Sequence, residues 1–166
     1  MPAIAQRITP FLWFENQAEE AAAFYTSIFK NSKVLATTRY TKEAEQAAHR
    51  PAGSVMTVAF QLEGQDFTAL NGGPVFKFNE AISLVVHCQS QEEVDYYWNR
   101  LAEGGDPRAQ QCGWLKDRFG LSWQVVPDQL PALLTGPDPE KARRVMAAML
   151  QMKKIDLPAL ERAAAG

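Results

Sequence analysis

Two histidines, two cysteines and no long apolar run are found among 166 residues, and each scarcity closes off a class of protein. Cys88 and Cys112 are too few for the disulfide framework on which small exported domains rely, so reduced thiols in a cytoplasmic protein are expected. The opening residues, Met1 to Arg7, show no charged stretch followed by an apolar one, which argues against export. Apolar stretches reach strand length only, far below the ~20 residues of a membrane-spanning helix. The formal charge of -2, with no basic stripe, gives no electrostatic reason to bind nucleic acid or an acidic membrane surface.

What is present is the composition of a globular protein, 46% hydrophobic and 22% charged, with length for one well-buried core and not for two ordinary domains. Order along the chain is more informative. Ile8 to Phe14 reads as a strand with Pro10 in its first half, which suits an edge. Asn16 is a candidate cap for a helix over Gln17 to Lys30, whose apolar face is Ala21, Phe24, Tyr25 and Ile28. Val34 to Tyr40 is strand-like, and Thr41 to Gly53 is a polar surface excursion with room for a helical turn. Ser54 to Leu62 and Gln65 to Asn71 pair as a hairpin across Glu63-Gly64, and Asn71-Gly72-Gly73-Pro74 closes the unit.

The same order then repeats. Ala81 to Cys88 is a strand, Gln89 or Ser90 a cap, and Gln91 to Glu103 a helix stopped by Gly104-Gly105. A shift of 73 residues lays Glu92-Glu93 on Glu19-Glu20, Val94 on Ala21, Tyr97-Trp98 on Phe24-Tyr25 and Leu101 on Ile28. Past the helices the offset is 56, placing Gly120 on Gly64, Trp123 on Phe67 and Val125-Val126 on Ala69-Leu70. A repeat that keeps strand, helix and hairpin in step is a fold-level signal. It predicts an α+β fold of two βαβββ modules forming a concave mixed sheet, with C-terminal helices. Residues 1–127 make one domain, its modules spanning 8–74 and 75–127, and 128–166 a helical extension. In that extension Asp138 caps a helix with Pro139 at its first position. Its stripe of Val145, Met149 and Met152, widened by Met146 and Leu150, is expected to support a homodimer.

These residues carry a resemblance. Ile8-Thr9-Pro10-Phe11-Leu12-Trp13-Phe14, followed by Glu19-Glu20-Ala21 and Phe24-Tyr25, resembles the PhnB-like branch of the vicinal oxygen chelate (glyoxalase-like) superfamily. Gly113-Trp114 with Asp117-Arg118-Phe119-Gly120-Leu121-Ser122-Trp123-Gln124 does the same. The resemblance spans Ile8 to Pro127. Some members of that branch carry a ubiquinone-precursor methyltransferase label, yet Gly72-Gly73 and Gly104-Gly105 lack the spacing and context of a nucleotide-binding glycine loop.

The resemblance implies where a catalytic metal would sit, because metal-using relatives place His and Glu on the first and last strand of each module. Counted onto this sequence, those places fall on Pro10 and Ser83, on Thr68 or Ala69, and on Gln124. Neutral side chains of these kinds are poor ligands for a transition metal, so no metal and no other cofactor is expected. Of the histidines, His49 reads as a solvated loop residue. His87 stands four residues from Ser83 and so shares its face of the strand. Cys88 reads as a small buried hydrophobe, no base accompanies Cys112, and Asp117-Arg118 reads as an exposed strand-turn pair.

A small-molecule pocket is the better-supported expectation. Aromatic walls from Phe76, Phe78, Trp114 and Trp123, with Asn79, Glu80, Ser83, His87, Lys116 and Gln124 as polar groups, match the usual make-up of such sites. Glu80, between apolar strands, is placed to act as a base or a ligand anchor. The function expected is therefore binding of a small-molecule ligand without a catalytic metal, by a homodimer with no nucleic-acid or membrane partner. A metal-dependent lyase, isomerase or dioxygenase with ligands in another register is the alternative, an interaction protein working through its tail a third, and a methyltransferase the least supported. Fold alone does not choose among them.

Overall fold

The structure, a computed structural model, describes residues 6–166; most of the N-terminal stretch read for export lies outside the described residues. The chain divides into two compact units, Met1–Phe78 and Asn79–Gly166, each with its own sheet.

The first unit runs β1 (Phe11–Phe14), α1 (Ala18–Ile28), β2 (Lys33–Arg39), α2 (Lys42–Ala48), β3 (Val55–Leu62) and β4 (Gln65–Asn71). Its sheet has the order β1-β4-β3-β2, with β1 parallel to β4 and the other pairs antiparallel. Glu63 and Gly64 both take positive φ (48° and 80°), the two-residue turn whose twist suits a hairpin. The expected helical stripe packs on the sheet: Tyr25 stacks at 6.1 Å on Phe60, which stacks at 5.5 Å on Phe67. The helix start differs from expectation. Gln17 occupies the cap without a side-chain bond, and Asn71 from the end of β4 serves instead. Its Oδ1 accepts from Ala18 N at 2.8 Å, its Nδ2 donates to Val55 O, and its own carbonyl accepts from the Tyr40 hydroxyl at 2.6 Å. The polar excursion holds α2, capped by the Thr41 hydroxyl.

The second unit contains β5 (Ser83–Cys88), α3 (Gln91–Ala102), a 3-10 turn over Pro107–Ala109, β6 (Trp114–Lys116) and β7 (Ser122–Pro127). The order is β5-β7-β6, with β5 parallel to β7. The second copy is one strand shorter than the first. Where β2 would stand, Pro107 and an Asp106 cap tighten the chain into a 3-10 turn, followed by a single bridge from Gln111 to Trp114. Ser90, of the two candidate caps, starts α3: its hydroxyl accepts from Glu93 N, while the Glu93 carboxylate accepts from Gln89 N at 2.7 Å. Val94, Trp98 and Leu101 are buried here as Ala21, Tyr25 and Ile28 are in the first unit.

The tail forms α4 (Leu130–Leu134), α5 (Pro139–Met149) and α6 (Leu157–Ala165), and it closes on the second unit. Val145, Ile155 and Leu160 make a buried cluster, against which Leu133, Met149 and Met152 pack. The Gln91 amide seats the tail on α3, its Nε2 donating to Ile155 O and its Oε1 accepting from Leu157 N at 2.7 Å. Lys154 pairs with Asp95 at 2.7 Å, and the amides of Cys112 and Gly113 donate to the carbonyls of Met152 and Lys153. Of the stripe expected to support a dimer, Val145 is buried inside the chain and Met149 and Met152 pack against its cluster, while Met146 and Leu150, which widen the stripe, are exposed. Among the described residues no helix is long and apolar enough to cross a membrane.

Candidate functional site

Strand alternation sorts the second sheet into two faces. Val86 and Cys88 of β5, Leu115 of β6, and Trp123 and Val125 of β7 are buried on the side that packs on α3. The opposite face carries two aligned rows. Ser83, Ser122 and Lys116 form one, and Val85, Gln124 and Trp114 form the next. Gln124 Nε2 donates to Ser83 Oγ at 2.9 Å. Lys116, its side chain 28% exposed, forms an ion pair with Glu80, which is 65% exposed and lies in the turn before β5. Because β7 runs between β5 and β6, this pair bridges the sheet. Ser122 in the middle of its row is 1% exposed, and its hydroxyl meets no hydrogen-bond partner. The Lys116 ammonium, by hydrogen bond first and by charge as well, holds the Glu80 carboxyl below its ordinary range, so Glu80 is an anion at neutral pH.

Five of the ten expected site residues therefore cluster on this face or its rim, around the two rows: Glu80, Ser83, Trp114, Lys116 and Gln124. His87 lies on the same face as Ser83, as expected, but at the far end of β5, 73% exposed and 3.7 Å from the Asp128 carboxylate. Asn79 closes a turn, its Oδ1 accepting from Ala81 N at 2.9 Å. Phe76 and Phe78 belong to the first unit, where they meet Trp13 and Phe14 edge-on at 4.9 and 5.2 Å. Trp123 stands apart from the others, on the α3 side, where its Nε1 donates to Asp117 Oδ2. The expectation that Asp117 is exposed is likewise corrected: it is 2% exposed, and its Oδ1 accepts from the amides of Phe119 and Leu121. Ser122 was not anticipated, although alternation with Gln124 is enough to place it on the face opposite α3. Burial pushes the Cys88 thiol up to about 12, which leaves it inert as a nucleophile.

Register also changes which residues stand at the places where the resemblance implies a metal. Phe11 pairs with Thr68 and Val85 with Gln124, so the first strands correspond at an offset of 74, one more than the helices. The counterpart of Ser83 is therefore Thr9, not Pro10. Ala69 is fully buried with Phe67 on the α1 side, which leaves Thr68 on the other face. Thr9, Thr68, Ser83 and Gln124 offer only neutral oxygens and an amide, and Ser83 and Gln124 are bonded to each other. Neither pair, the two threonines of the first unit or Ser83 and Gln124 of the second, has side chains that suit a divalent transition metal. Among the described residues no group of three His, Cys, Asp or Glu is placed to hold one.

A family model described as 3-demethylubiquinone-9 3-methyltransferase matches residues 6–126. The chain belongs to that family. Of solved structures, the PhnB protein from Bacillus cereus is 36% identical over 74% of this chain and 99% of its own, with a TM-score of 0.62. Protein PA1353 from Pseudomonas aeruginosa (21% identity, 74% and 97% coverage, TM-score 0.54) shares the fold. So does the fosfomycin resistance protein FosX from Listeria monocytogenes (18%, 80% and 99%, TM-score 0.55). No curated protein matches. The resemblance to the PhnB-like branch of the vicinal oxygen chelate superfamily thus stands, with α4 to α6 beyond the residues that the family model matches.

The family's description implies S-adenosylmethionine, and the glycines do not fit a cradle for it. A Cβ on Gly72 would lie 2.3 Å from the Trp13 ring, and one on Gly105 2.2 Å from Lys116 O, so both close approaches serve internal packing. Gly72-Gly73 leads into Pro74 and a turn rather than into a helix N-terminus.

Proposed function

We propose that the chain binds a small organic molecule on the face of the second sheet that carries Ser83, Ser122, Gln124, Lys116 and Trp114, and that it does so without a catalytic transition metal. One observation carries the reading. At the places where relatives are expected to hold a metal, Ser83 and Gln124 instead form a neutral hydrogen-bonded pair at 2.9 Å, beside an indole in the same row. Such a surface offers hydrogen bonds for orientation and an apolar wall for a ligand body. Glu80, Lys116 and Trp114 complete it, while Phe76, Phe78, Asn79, His87 and Trp123 have other surroundings. A homodimer in the cytoplasm is the assembly and compartment that the resemblance and the free thiols favour.

The test is native mass spectrometry of untagged protein for a retained ligand, with tryptophan fluorescence during titration of small aromatic compounds. The expected outcome is quenching that Trp114→Phe abolishes and Trp123→Phe leaves in place. Stoichiometric zinc, iron or manganese that supports turnover, or quenching that depends on Trp123 and not on Trp114, overturns the proposal.

A further inference from the structure

We propose that the ligand of this face is a small organic acid, whose oxyanion displaces the Glu80 carboxylate from Lys116 and accepts the hydroxyl hydrogen of Ser122. The inference rests on the site proposed above and names the chemical class that it takes. Hydrogen-bond inventory comes first. Lys116 can only donate. Ser122 has an O–H with no partner in a position 1% exposed. Ser83 already accepts from Gln124 Nε2, and its own hydrogen remains to be donated. These three side chains are successive cross-strand neighbours in one row, about 5 Å apart across each strand pair. A row of donors calls for a ligand group that only accepts, which an ionised carboxylate, phosphate or phosphonate does.

Glu80 supplies the second part. Its carboxylate already sits on the Lys116 ammonium, so a group of that shape and charge fits there. The two partners are held differently. Lys116 belongs to β6 and is fixed by the ladder with β7, whereas Glu80 lies in a turn outside any strand and is the more exposed of the pair. An incoming oxyanion can therefore exchange with Glu80 by movement of a surface turn, while the cation stays in place. Trp114 and Val85, in the adjacent row, flank the position where the apolar body of the acid would lie.

Calorimetric titration of the full chain with benzoate, phenylphosphonate and neutral benzamide tests this, since the three share one body and differ in the head group. At least one acid is expected to bind about tenfold or more tightly than benzamide, and the stronger acid distinguishes a carboxylate site from a phosphonate one. Lys116→Gln should weaken that acid by about tenfold or more and Ser122→Ala by several-fold. Glu80→Gln should tighten it, because the competing carboxylate is gone. Benzamide binding as well as the acids, with Trp114-dependent quenching, would overturn the oxyanion and leave the site standing. No binding of any probe and no Trp114 response would overturn both. Weaker acid binding in Glu80→Gln would make Glu80 a ligand contact and sink the exchange.

Discussion

The indole of Trp123 donates its Nε1 hydrogen to Oδ2 of Asp117 at 2.8 Å, and both residues are buried. The Asp117 carboxylate thereby ties β7 to the turn that leads into it, since its other oxygen accepts from the amides of Phe119 and Leu121. A buried carboxylate is tolerated only when donors of this kind surround it.

Replacing Trp123 by Phe removes that donor and puts a smaller ring in a buried place. Stability should fall by at least about 1.5–3 kcal/mol, the worth of a hydrogen bond to a charged group, with the lost packing adding to it. A lower urea midpoint with unchanged slope is the expected readout. A loss below about 0.5 kcal/mol would show that the bond contributes nothing net.

The join between tail and helix should depend on acid. The hydrogen bond from Lys154, and a second from Gln91, hold the Asp95 carboxyl below its ordinary value of 3.8. A lowered carboxylate pKa stabilises the fold above the ordinary value, and that contribution disappears as pH falls through the lowered one. Protection of the Leu157 amide, which is bonded to Gln91, against hydrogen exchange, taken relative to the intrinsic rate at each pH, should therefore fall on acidification below about pH 4. Asp95→Asn should flatten this response. The same acid response in the variant would assign it to other carboxylates.

Two glycines make a paired comparison. Gly105→Ala would put a methyl 2.2 Å from the Lys116 carbonyl, a backbone atom that cannot turn aside, so a loss of about 3 kcal/mol or more is expected. Gly120→Ala meets open space and bears only the strain of φ +87°, about 1 kcal/mol. Thermal or urea unfolding of both variants checks the ranking, and equal losses would contradict it.

Much of this was legible in the sequence because helix stripes and hairpin turns are local. Tyr25 and Trp98 occupy the buried positions that their spacing predicts, and Gly64 and Gly120 both turn with positive φ. What failed lay between elements. Helix spacing does not carry across a loop into the preceding strand, so Pro10 was matched to Ser83 one residue out of register, enough to change its face. Trp123 was grouped with Trp114 by residue type, although alternation from Val125 assigns it to the core. Asp117 reads as a surface charge until the chain turns and its three donors come together. The seat of the tail on Gln91 and Asp95 depends on residues about sixty positions away, beyond the reach of any window along the chain.

That seat makes the two halves of the molecule non-interchangeable. By the 73-residue correspondence of the helices, Gln91 and Asp95 stand where the first copy has Ala18 and Ala22, both fully buried. A chimera with the first helix transplanted into the second position would keep the packing stripe and lose every polar anchor for Ile155, Leu157 and Lys154. The repeat is still readable in the core, but the chain has a polarity: the first helix packs on its own sheet, and the second also serves as the mooring for the tail.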